Sequence, residues 1–102
     1  MSLRSIYERE IEELKKQIVE LERDKADCLE SINKIQKRMD EAIKLAFSTS
    51  NATRRKTKAK LVEELNKRLS KEKEDLANIE KHLAEKHKAL LEKETKLKKI
   101  SA

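Results

Sequence analysis

Apolar side chains recur in this chain at alternating steps of three and four, the spacing of helices that bury one narrow stripe against a partner helix. With Ile11 at heptad position a, the first half places Arg4, Ile11, Ile18, Lys25, Ile32, Met39 and Ala46 in the a column. Its d column is Tyr7, Leu14, Leu21, Cys28, Ile35 and Ala42. In the second half the a column reads Val62, Leu69, Leu76, Leu83, Leu90 and Leu97 without a break. Its d column is mixed: Lys58, Leu65, Glu72, Ile79, Lys86, Lys93 and Ile100. Such a pattern leaves little choice beyond long helices.

Composition closes off the rivals. The 102 residues include no Gly and no Pro, 45% are charged and 2% aromatic. A chain so poor in turn residues and bulky apolar groups does not build a mixed α/β core. Its polarity would also suit a disordered segment, but the regular apolar spacing decides for helix. At this length, 1–102 is expected to be a single domain.

The repeat lapses once, over residues 48–57. Ser48, Thr49, Ser50, Asn51 and Thr53 can each bond their own backbone in non-helical conformations. The heptad phase also slips: Ala46 and Val62 are both a residues, yet the sixteen positions between them are not a whole number of heptads. One straight helix would carry that slip as a discontinuity. We therefore expect an all-α antiparallel coiled-coil hairpin, with arms 3–47 and 58–100, a tip at 48–57 and the turn centred on Ala52, further associated with another body.

In that register Ala42 faces Val62, Met39 faces Leu65, Ile35 faces Leu69, and Cys28 faces Leu76. Leu21 then faces Leu83, Leu14 faces Leu90, and Tyr7 faces Leu97. These fourteen residues are the expected hairpin core. Between them lie mixed layers: Ile32 with Glu72, Lys25 with Ile79, Ile18 with Lys86, and Ile11 with Lys93. Glu10 is expected near Lys96. Lys25 reads as a lysine that extends its ammonium to water, and Cys28 as a small core residue rather than a reactive thiol. Ser5 with Glu8 fits a capping box at the start of the first arm. Ile6, Val19, Leu29 and Leu91 fall off the seam and call for a second hairpin or a neighbouring domain to cover them.

Charge is uneven. Residues 1–47 carry ten basic against eleven acidic groups, 48–57 three against none, and 58–102 thirteen against nine. Arg54, Arg55, Lys56, Lys58 and Lys60 form the densest basic run. Contact with nucleic acid or another acidic surface is therefore the alternative function, although no aromatic accompanies the run to stack on bases. His82 and His87 are five apart and do not make an i, i+4 metal pair. No catalytic, cofactor or metal constellation is present, and no small-molecule substrate is expected. With a single cysteine, no signal-peptide core in 1–9 and no membrane-length apolar run, the sequence points to a reducing, cytoplasmic setting.

Several stretches resemble the N-terminal coiled-coil hairpin ahead of the Toll/interleukin-1 receptor (TIR) domain in some bacterial proteins. They are Tyr7, Glu8, Arg9, Glu10 and Ile11; Ile32, Asn33, Lys34, Ile35, Gln36 and Lys37; and Ser48, Thr49 and Ser50. Thr53, then Lys56, Thr57 and Lys58, continue the likeness, followed by Asp75, Leu76 and Ala77 and by Ile79, Glu80 and Lys81. The 38–47 segment looks longer than that family's approach to the turn. Catalysis in that family belongs to the TIR domain, so no catalytic residue carries over. The register match, the off-seam apolar residues and the lack of a catalytic constellation point to a non-enzymatic coiled-coil module for self-association or partner docking. The resemblance implies self-association that brings effector domains together in bacterial defence. A third function reading is a small helical-hairpin secretion accessory protein, which the chain resembles in length and architecture.

Overall fold

The computed structural model describes residues 2–101, of which 96% are helical, with no strand among them. Helix α1 spans Leu3–Ser48 and helix α2 spans Ala52–Ser101, and the two pack against each other as an all-α hairpin. Each helix has local reasons for its ends. Ser2 caps α1, its Oγ accepting from the Ser5 amide at 3.2 Å, which satisfies one of the donors a first turn leaves open. The expected capping box one turn later does not form. Ser5 takes the position of the capped amide, and Glu8 pairs with Arg4 at 3.1 Å.

The break between the helices is three residues, 49–51, much narrower than the ten-residue tip the sequence suggests. Ala52, the expected centre of the turn, is the first residue of α2. Side chains explain the economy. Ser48 Oγ donates to the Leu45 carbonyl at 3.3 Å as α1 ends. Thr49 Oγ1 accepts from the Asn51 amide at 3.2 Å, and Asn51 Oδ1 accepts from the Arg54 amide at 3.1 Å. Asn51 is thus the N-cap of α2, and its carbonyl takes the Arg55 amide at 3.0 Å. Thr57 Oγ1 donates back to the Thr53 carbonyl at 3.0 Å, so hydroxyls expected to interrupt the helix sit within it. No residue among those described has a positive φ, which is how the chain reverses without glycine.

The described residues fall into two units. The unit Asp27–Ala77 contains the turn and buries Cys28, Ile32, Ile35, Ala42, Leu65 and Leu69. Leu65, at 1% exposure, is its most enclosed side chain. Met39, Val62 and Leu76 are half-buried there. Fully burying a side chain of this size contributes about 1.5–3 kcal/mol.

The other unit joins the chain up to Ala26 with the chain from Asn78 on. It buries Ile11, Ile18 and Leu83 and half-buries Tyr7, Leu14, Leu21, Leu90 and Leu97. Its helices run antiparallel, since Glu10 meets Lys93 while Lys25 meets Glu80. Both contacts fall one residue from an expected pair, Ile11 with Lys93 and Lys25 with Ile79.

Burial does not follow the expected division into apolar and mixed layers. Ile11, Ile18 and Ile32, assigned polar partners, are buried, whereas Leu14, Leu21, Leu90 and Leu97 are only half-buried. The opposing Lys93 and Lys86 are half-buried themselves. A lysine stem is four methylenes long and covers apolar surface while its ammonium reaches the rim. Ile100, the last d residue, is exposed.

Candidate functional site at the turn

The cross-helix polar contacts are structural. Cys28 Sγ donates to the Glu72 carbonyl at 3.2 Å and approaches the Glu72 carboxylate at 3.5 Å. Burial, and then the neighbouring Glu72, push its thiol above the ordinary cysteine value, which keeps it protonated and a poor nucleophile. Lys93 Nζ lies 2.6 Å from Glu10 Oε2, where Lys96 had been the expected partner, and 5.2 Å from the centre of the Tyr7 ring. The contact with Glu10 raises the Lys93 ammonium above its ordinary value, against an opposing effect of desolvation. Lys25 Nζ reaches Glu80 at 3.9 Å, as a lysine extending from the seam does. His82 and His87 are both exposed, and the described residues hold no group of three His, Cys, Asp or Glu placed to hold a metal ion.

The turn is different in kind. Arg54, Arg55, Lys56 and Lys60 are exposed and Lys58 is half-buried. None of them, nor Lys44, belongs to an ion pair between described residues. Arg55 instead donates to the Ser50 carbonyl at 3.4 Å, laying its guanidinium across the turn. Beside them stands Phe47, 88% exposed and the most exposed large apolar side chain described, with Leu45 at 51% and Ile43 at 37%.

Sequence reasoning missed this pairing, because the basic run was read within its own segment and Phe47 precedes it. In space Phe47 lines one shallow concavity with Arg55 and Lys56, and Leu45 lines another with Arg54 and Lys58. An aromatic does accompany the basic run. A signal was available: Phe47 occupies heptad position b, a face that a hairpin seam leaves in water.

Fold and site together define a two-helix all-α hairpin whose turn is basic and apolar at once. Comparison of the chain with protein-family models, with characterised proteins and with solved structures finds no match. Among the described residues, no helix is long and apolar enough to cross a membrane.

Proposed function

We propose that the chain is a non-enzymatic coiled-coil module that self-associates, a second copy covering apolar surface that the helix pair leaves open. One balance carries this reading. Among the described residues nine hydrophobic side chains are buried, and nine large ones remain exposed. A single seam between two helices has no second face on which to bury the remainder. In the unit Asp27–Ala77, Leu29 and Ile43 stand two heptads apart at the same e position of α1, 41% and 37% exposed. A partner helix laid beside α1 buries both. Elsewhere Ile6, Val19 and Leu91 are exposed as well.

Sedimentation equilibrium at micromolar concentration tests the reading. Self-association is expected, weakened roughly tenfold or more by Leu29→Ser with Ile43→Ser, since each lost burial removes on the order of 1 kcal/mol. A monomer at every concentration overturns it. The narrower form, in which the hairpin gathers TIR effector domains in bacterial defence, rests on the sequence resemblance alone.

A further inference from the structure

The whole formal charge of this protein is carried by its turn. Between Ala42 and Val62 the chain has Lys44, Arg54, Arg55, Lys56, Lys58 and Lys60 and no acidic residue, and the net charge of the entire chain is +6. Elsewhere the charges balance only in sum, residues 1–42 carrying two more acids than bases and 62–102 two more bases than acids. The same segment ends α1 with Leu45 and Phe47 exposed, each in its own concavity beside the turn. Charge and apolar surface thus meet around the turn, within one unit of the structure.

We infer that the turn is a docking surface for an anionic lipid bilayer, with Phe47 and Leu45 entering the headgroup region and the basic groups lying against acidic lipid phosphates. Each half of that arrangement has a physical basis. Lysine and arginine near an anionic leaflet are attracted by its surface potential. Apolar side chains add binding by leaving water at the headgroup boundary. Neither signal anchors a protein stably alone, and here both occur together. Among the described residues the basic groups have no acidic partner, so docking breaks no ion pair there. Single-stranded nucleic acid would use the charges and one aromatic face, but it gives Leu45 nothing to do. A bilayer accounts for Phe47 and Leu45 together. Neither residue belongs to the flank of Leu29 and Ile43, so docking and self-association fail independently.

The chain contains no tryptophan, so Phe47→Trp installs a single reporter at an exposed position. Mixed with vesicles of phosphatidylcholine and phosphatidylserine at low salt, that variant is expected to show blue-shifted emission, quenched by brominated acyl chains. Vesicles of phosphatidylcholine alone are expected to give neither. In flotation, the otherwise native chain should follow the anionic vesicles. Arg54→Gln with Arg55→Gln and Lys56→Gln, or Phe47→Ser with Leu45→Ser, should each reduce the bound fraction roughly tenfold, with circular dichroism unchanged because the altered side chains are exposed. Three results overturn the inference: no flotation with anionic vesicles, flotation indifferent to the Phe47→Ser and Leu45→Ser pair, or capture by a single-stranded oligonucleotide with vesicles left unbound.

Discussion

Lys93 of α2 holds Glu10 of α1 with Nζ 2.6 Å from Oε2. The two half-exposed side chains clamp the helices at a d position that the heptad pattern would rather fill with leucine. The carboxylate oxygen is shut off from solvent, with the ammonium as its close partner. Hydrogen bonding to Glu10 is the largest influence on the ammonium, ahead of the attraction of opposite charges. It follows that its contribution depends on the ammonium staying protonated.

The sign of the pH effect is fixed by the direction of the shift. Lys93 is raised above its ordinary value of 10.5 in the folded chain, chiefly by Glu10. The stabilisation is therefore complete below the unfolded value and is lost as pH rises through the folded one. Lys93→Met keeps a stem of similar length and removes the charge. The difference in urea midpoint between the native chain and Lys93→Met should hold steady from neutral pH upward and change only above 10.5. A difference that stays constant through strongly alkaline pH would mean the contact adds nothing.

The Cys28 thiol is buried at the seam, donates to the Glu72 carbonyl, and is raised above the ordinary cysteine value. An aromatic disulfide reagent near neutral pH is expected to label it on the order of tenfold or more slowly than the same thiol in urea-unfolded chain. Equal rates would show that the helices part freely at this layer.

How much of this was legible in the sequence depended on whether the cause was local. The a and d columns identified the two helices, because a period of three and four follows from backbone geometry alone. The lapse in the repeat points to the right neighbourhood for the turn, but the break itself is only residues 49–51. Thr53 and Thr57 are poor helix formers on average, yet Asn51 had already capped α2 before them. Burial at Ile11 and Ile18 was underestimated because a lysine was counted as polar along its whole length. Phe47 went unnoticed for a different reason: its meaning lies in side chains from the other helix, and adjacency across a turn is not written in either segment.

Leu65 and Leu91 lie on the same helix at opposite extremes of exposure, 1% and 67%. Leu65→Ala leaves a cavity beneath the turn and is expected to cost about 2–5 kcal/mol. Leu91→Ala is expected to change monomer stability by no more than about 0.5 kcal/mol. Urea denaturation followed by circular dichroism separates the two. Comparable losses from both would contradict the burial pattern, or show that Leu91 is covered in solution by another copy, which dilution would reveal.

Asn51 carries the start of α2 almost alone. Its side chain accepts from the Arg54 amide and its main chain from Arg55, while the preceding Thr49 hydroxyl fixes its own amide. Asn51→Ala removes the side-chain acceptor and should cost about 1 kcal/mol, whereas Asn51→Asp or Asn51→Ser keeps an acceptor and should cost little. Asn51→Asp also sets a carboxylate at the positive end of α2 and among the basic groups of the turn. For stability that is favourable. For docking on anionic lipid it is adverse, since it introduces the first acid between Ala42 and Val62. Thermal melts and vesicle flotation of the one variant are therefore expected to move in opposite directions. If Asn51→Asp melts no lower than the native chain and still floats undiminished, the basic turn does not direct the protein to lipid.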